Sequence, residues 1–398
     1  MSHVVVLVLG DTGRSPRMQY HAVSFAGMKS VQRVSLVGYE GEQSIQGVRN
    51  FSKIYDIRLK LFSFDWLRRI SVLHAVFRGL GLLLCTIKVL LSLPYYDKII
   101  IQNPPALPAL IAAIFVDLVP WRSSEIIIDW HNLGFAMFEE NLGKKHIVVK
   151  LSKFMEWTLS RFANGHICVS QAMGAWLKDN FGANCTVLYD RPASSFQKKG
   201  TPLAQRHSLF TKLKLTHRHI FPDAQAALDQ HPECQAGHKH SLQTMLDSAG
   251  RVVPLPKALS VPVLLSSTSW TPDEDFQLLL SALCLLETRL EQAASGTGEG
   301  DDEGRPVLPS RLLVVITGKG PMKEEFLAAA EEKVQTGQLG RRVAVRTLWL
   351  EAEDYPPLVG CAELGICLHT STSGLDLPMK VLDMFGAGKS KFRSKSKI

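Results

Sequence analysis

The stretch "SEIIIDWHN" ends an apolar run with Asp129, Trp130, His131 and Asn132. An imidazole titrates near neutral pH and a carboxylate two residues away can hold its ring. His131 therefore has the chemistry of a general base, with Asp129 as its orienter or its substitute. The alternative is a histidine that only buttresses its loop. A second stretch, "GDTGRSPRMQYH", joins Gly10 and Gly13 to Arg14, Arg17 and the start of a helix. Free N–H groups at a helix start and two guanidinium groups suit an anion such as a pyrophosphate, and Asp11 in the same loop is a further candidate base. The bland alternative is a plain strand-to-helix turn. Two more loops, "SSTSWTPDEDF" and "ITGKGP", offer the hydroxyls and amides of Ser266, Ser267, Thr268 and Ser269, and Lys319 between Gly318 and Gly320. Together they suit the phosphates of one nucleotide.

Each of these loops follows a short apolar run rich in β-branched residues, and open parallel sheets bind ligands at the carboxyl ends of their strands. "HVVVLVLG", "RVSLVGY", "DKIIIQNPP", "SEIIIDWHN" and "GHICVS" alternate with helical patterns, among them one from about Arg17 to Ser30 and "IVVKLSKFMEWTLSRFA". Continuous apolar strands between helices indicate a parallel sheet covered on both faces. The second half repeats this order with "SVPVLLSSTS", the periodic Phe276 to Leu290, "RLLVVITGKG", "RVAVRTLWL" and "ELGICLHTS". An α/β chain of 398 residues with two such sheets predicts two Rossmann-like domains facing a cleft. The expected boundaries are 1–198, a polar linker or insertion at 199–258, 259–386, and a basic tail at 387–398.

The linker holds His207, His217, His219, His231, His238 and His240 with Cys234 nearby, but at spacings that match no standard zinc site; no metal and no cofactor is expected. "SGTGEGDDEG" reads as a flexible acidic loop. The seven cysteines are scattered without a C-x-x-C pair, which suits a reducing compartment. Of the net charge of +8, five come from Lys389, Lys391, Arg393, Lys395 and Lys397. That tail suits an anionic surface or reads as a solvated end, and no nucleic-acid partner is expected. No signal peptide is read at "MSHVVVLVLGD". The apolar "FRGLGLLLCTIKVLLSLPYY" fits either a core helix or one that dips into a membrane interface. "GAGKS" near the end is not a Walker loop: the position that needs the first glycine is Asp383.

The motifs "LGDTGRSPRMQYHA", "IIIDWHNLGF", "LYDRPA", "LLSSTSWTPDEDF", "ITGKGP", "WLEAEDYPPL" and "LGICLHTSTSGLDLPMKVLDMFG" closely resemble the chitobiosyldiphosphodolichol β-mannosyltransferase family, over about residues 3 to 386 without much of 214–256. The resemblance implies a GT-B architecture, with the lipid-linked acceptor on the first domain and GDP-mannose on the second. It implies β-1,4 transfer with inversion onto dolichol-diphosphate-linked chitobiose, at the cytosolic face of the endoplasmic reticulum membrane. It places Ser373, Gly374 and Asp376 near the donor's mannose and phosphates, Lys380 near its pyrophosphate and Asp383 on its ribose, where related motifs commonly carry glutamate. Family members normally begin with a hydrophobic anchor and continue past "MFG", so the expectation here is an incomplete C-terminal domain, an unpaired inner strand and weak donor binding. The rival expectation is a catalytically dead protein that binds other dolichol-pathway mannosyltransferases.

Overall fold

The computed structural model describes residues 2–60, 71–193, 195–196, 200–229, 240–295, 309–351, 353–371, 373–376, 378–388 and 390–393. The chain divides into two compact units, one of residues 1–190 with 372–377, the other of 191–371 with 378–398.

In the first unit seven strands form an all-parallel sheet: β1 (Ser2–Asp11), β2 (Val31–Tyr39), β3 (Ile54–Leu59), β4 (Lys98–Asn103), β5 (Glu125–Trp130), β6 (Gly165–Cys168) and β7 (Cys185–Val187). Their order is β3-β2-β1-β4-β5-β6-β7. Alternation splits the core cleanly. Val5, Leu7, Ile99, Ile101, Ile126 and Ile128 face one helical layer, built from Ser71–Ser92, Leu107–Asp117, Gly134–Leu142, Ile147–Ser160 and Gln171–Phe181. Val4, Val6, Val8, Leu36 and Ile100 face Met18, Ala22 and Ala26 of the helix Pro16–Ala26. A strand buried on both faces has no polar side to show, which is why these runs are continuously apolar. In the helix Ser71–Ser92, Leu90 is fully buried and Leu82 and Leu83 pack on the core, while Leu80, Leu84 and Leu91 stay exposed.

The second unit holds a hairpin, β8 (Thr244–Leu246) with β9 (Val252–Pro254), and a parallel sheet of β10 (Val263–Ser267), β11 (Leu312–Thr317), β12 (Val343–Leu348), β13 (Leu364–Cys367) and β14 (Ser390–Arg393) in the order β12-β11-β10-β13-β14. Two expectations need correction. The segment 199–258 is not a polar linker in its described part: Leu209, Phe210, Leu215, Phe221 and Leu242 join Val263, Leu265 and Leu358 in the core of this unit. His217 is buried between the carbonyls of Ser241 (3.2 Å) and Leu259 (3.0 Å), and burial, aided by His240, pushes its pKa down to about 4. His231, Cys234 and His238, like the acidic segment 296–308, lie outside the described residues. The tail is also more than a solvated end, because residues 390–393 pair in parallel register with 364–367 and cover the β13 edge expected to be open. The last helix, Met379–Gly386, buries Met384 among Val359, Cys361 and Ala362 of this core.

Phe210→Ala should lower the stability of the second unit by about 3–5 kcal/mol, as for a fully buried aromatic ring. Calorimetric melting checks this, and a loss below about 1 kcal/mol would return 199–258 to the status of a linker.

Candidate active site

In the first unit the chemistry centres on Asp129, near the carboxyl end of β5 and without solvent exposure. Arg17 grips it in a fork, Nε to Oδ2 at 2.8 Å and Nη2 to Oδ1 at 2.9 Å. His21, one turn further along the same helix, brings Nε2 to within 2.8 Å of Oδ2. His131, just past β5, brings its Nε2 to within 3.0 Å of that oxygen. Burial alone would push the Asp129 carboxyl up, but hydrogen bonds from His131, His21 and Arg17 outweigh it and hold the group well below the usual carboxylate range. An ionised Asp129 only accepts, so Nε2 of His131 must carry the proton and Nδ1 its lone pair. That is the tautomer a base needs. The His131 N–H donates to Asn103 O at 2.8 Å, which fixes the loop to the end of β4.

Arg17 does not offer its charge to a ligand as expected. It is buried, and its remaining Nη1 donates to Leu188 O (2.7 Å) and Asp190 Oδ1 (2.9 Å), so every edge of the guanidinium is engaged. Asp11 is likewise a turn-former: its two oxygens accept the N–H groups of Gly13 and Glu42, both at 2.9 Å. Arg14 pairs with Glu42 at 2.9 Å, and a Cβ at Gly13 would fall 2.4 Å from the Glu42 carbonyl oxygen. Gly10 has room for a Cβ. The glycines close this loop on itself.

Beyond His131 the chain enters the helix Gly134–Leu142, whose first N–H groups, of Gly134 (2.9 Å) and Phe135 (3.4 Å), donate to the buried carboxyl of Glu156. Burial pushes Glu156 up to about 7 against those same bonds. Beside it lies a cavity of about 490 Å³ lined by apolar side chains such as Leu133, Phe135 and Trp176, by Ser373 and Glu139, and by three lysines, Lys144, Lys150 and Lys153. The Lys153 ammonium lies 5.3 Å from the Phe135 ring centre and 5.4 Å from that of Trp176.

In the second unit Ser267, Thr268, Ser269, Gly318, Lys319, Gly320, Lys380 and Asp383 gather around the carboxyl ends of β10 and β11. The two loops touch backbone to backbone. A Cβ at Gly318 (φ +134°) or at Gly320 would stand 1.8 Å from the carbonyl oxygen of Thr268 or Ser269, so glycine is required for that approach. Lys319, between them, lies 4.0 Å over the Trp349 ring. Glu274 is buried, accepting from the Thr268 hydroxyl and the Ser269 N–H and pairing with Lys380. Ser267 Oγ donates to Tyr355 Oη (2.9 Å), which donates to Asp383 Oδ2 (3.3 Å). Burial raises Asp383 to about 6, with the tyrosine hydroxyl opposing. Asp273 meets His369 at 2.6 Å, and that bond first of all lowers Asp273 to about 2. Ser373, Gly374 and Asp376, expected with these loops, belong instead to the first unit, where Leu375 packs on the core and its carbonyl accepts from Ser170.

Sequence reasoning missed His21, Glu156, Glu274 and Tyr355. His21 was within reach, since Arg17 and His21 stand four apart on one helix and share a face. Glu156 sits in a pattern that reads as an ordinary amphipathic helix.

A parallel sheet of this order in each unit, with loops gathered at the strand ends, is the GT-B fold. Sucrose-phosphate synthase from Thermosynechococcus elongatus superposes with a TM-score of 0.56 at 12% identity, over 98% of this chain and 80% of that one. The trehalose-6-phosphate synthase OtsA superposes with 0.52 at 12% identity, over 98% and 82%. No family model matches the chain. Over 96% of its length it is 38% identical to the mouse and human proteins named chitobiosyldiphosphodolichol beta-mannosyltransferase, spanning 73% and 76% of them. It is equally 38% identical to the Arabidopsis thaliana UDP-glycosyltransferase TURAN, spanning 80% of that protein. The chain belongs to the chitobiosyldiphosphodolichol β-mannosyltransferase family.

Asp129→Asn should destabilise the first unit by about 3–5 kcal/mol, because it leaves Arg17 buried with only Asp190 as counter-charge. Glu156 predicts a pH dependence. Its proton is held more tightly in the folded chain, so its contribution to stability is full below the ordinary value of 4.5 and is lost as pH rises through about 7. Glu156→Gln should therefore gain stability relative to the parent across that window, and denaturant titrations showing a pH-independent difference would refute the assignment.

Proposed function

We propose that this chain is a β-1,4-mannosyltransferase that moves mannose from GDP-mannose to chitobiose carried on dolichol diphosphate, with inversion at the anomeric carbon. The observation that carries this reading is the 38% identity, over 96% of the chain, to relatives named for that acceptor. In the proposed step Nδ1 of His131 takes the proton of the acceptor's 4-hydroxyl as its oxygen bonds the anomeric carbon and the bond to the GDP oxygen breaks. Asp129 keeps the Nε2 proton in place and balances the imidazolium that forms. Lys319, Lys380 and the amides of Thr268 and Ser269 meet the charge on the departing diphosphate, and Asp383 accepts from the ribose hydroxyls. The acceptor's diphosphate lies in the lysine-lined cavity beside Glu156, the role first given to Arg14 and Arg17. The chain works at the cytosolic face of the endoplasmic reticulum membrane.

The donor nucleotide is the point to decide, since the Arabidopsis relative is named for UDP. Full-length protein with detergent-solubilised chitobiosyl-diphospho-lipid should form a product one hexose heavier from GDP-mannose and none from UDP-sugars, sensitive to β-mannosidase. Transfer from a UDP-sugar would reject the donor, and no transfer together with co-purifying glycosyltransferases would favour the binding-protein reading. His131→Ala should lower kcat by about 10² or more in a chain that still folds, with a modest drop in melting temperature because Asp129 loses one of its donors. Near-normal turnover would reject His131 as the base.

A further inference from the structure

The helical layer over the Ile128 side of the first sheet, opposite the helix that carries Arg17 and His21, exposes many large apolar side chains, and they are densest on one hairpin. The helices Gly134–Leu142 and Ile147–Ser160 pack against each other and are joined by four residues. On the second helix Val149, Ser152, Glu156 and Ser160 face inward. The outward stripe, at spacings of four and three, is Ile147, Leu151 and Phe154, which are 71%, 54% and 58% exposed. Met137 and Phe138 on the first helix are exposed as well. Monomeric proteins seldom leave such a group of large side chains in water without a partner.

The charges around the stripe say which partner. From 141 to 155 the sequence "NLGKKHIVVKLSKFM" holds Lys144, Lys145, Lys150 and Lys153 and no acidic residue. All four lysines are exposed; Glu139 and the exposed Glu140 precede the run, and among the described residues the only ion pair of these lysines is Lys144 with Glu139, at 3.3 Å. An apolar stripe framed by lysines on a helix too short and too polar to span fits a helix lying in the plane of an anionic lipid surface. Among the described residues no helix is long and apolar enough to cross a membrane.

We propose that the hairpin 134–160 is the element with which this protein lies on a bilayer, Ile147, Leu151 and Phe154 entering the acyl boundary and the four lysines resting on anionic headgroups. The inference deepens the proposed function and rests on it for its purpose: a lysine-lined cavity opening at the same hairpin would receive a lipid-linked diphosphate directly from the surface. It places the membrane contact away from the helix Ser71–Ser92, whose sequence fits either a core helix or one that dips into a membrane interface.

The test is flotation of the full chain with phosphatidylcholine vesicles, with and without phosphatidylserine, at low and high salt. The parent should float with the anionic vesicles. Each Lys→Gln at 144, 145, 150 or 153 should lower partition about fivefold at low salt. Ile147→Asp with Leu151→Asp should abolish it, with an unaltered melting curve, whereas Tyr55→Asp on the edge strand β3 should leave it unchanged. In case the paired aspartates unfold the chain, Phe154→Trp gives a second reading: its fluorescence should be quenched by brominated lipid. An unquenched Trp, or release by Leu84→Asp alone with the hairpin variants still bound, would overturn the proposal. So would a parent that ignores vesicles but forms dimers which the paired aspartates dissolve, since the stripe would then cover a second copy. Transfer to a short-chain, detergent-soluble acceptor separates the two claims. If it proceeds in the parent while flotation fails, only the surface is wrong, and if flotation holds while transfer fails, only the reaction is wrong.

Discussion

A carboxylate placed where no water reaches it is the constraint around which the first unit is arranged. Asp129 sits near the end of an inner strand, and an ion in that position survives only if its surroundings replace the hydration it has lost. Helix 16–26 supplies Arg17 and His21, the β5 loop supplies His131, and Arg17 in turn reaches the chain just after β7 through Leu188 and Asp190. Three separated stretches of sequence are thus tied to one side chain. The same bonds that make the charge tolerable set the tautomer of His131.

The second unit solves a related problem with backbone instead of charge. The loops after β10 and β11 approach so closely that neither Gly318 nor Gly320 can carry a side chain, and the buried Glu274 then links the Thr268 loop to Lys380 on the last helix. The hydroxyl relay Ser267–Tyr355–Asp383 holds a carboxylate that burial has made harder to ionise. Both units therefore bury an acid near the ends of their strands, one held by cations and the other by a phenol.

The inner strands were legible because burial on both faces leaves no polar position to disguise them. β3, β7 and the β8–β9 hairpin were not: β3 lies at an edge and alternates as "IYDIRL", and the others have only three residues each. Asp129 and His131 could be read as a pair because they are neighbours in sequence. The role of Arg17 was misread because a basic residue in a glycine turn looks the same whether it awaits an anion or has already found one 112 residues away. For 199–258 composition misled, since the few apolar side chains that enter the core, Phe210 and Leu242 among them, are outnumbered by polar ones that do not.

The excursion of residues 372–377 has a bearing on how this molecule can be taken apart. The chain passes from one unit to the other after 190, again after 371 and once more after 377, so the units are stitched at two places in the sequence instead of hinged at one. No single cut yields both as intact fragments. A piece ending at 371 keeps the glycine loops but forfeits Lys380 and Asp383, and a piece running on to recover them carries Leu375 away from Ser170 and from the core it fills. Any exchange of one half for that of another chain meets the same seam between 371 and 378.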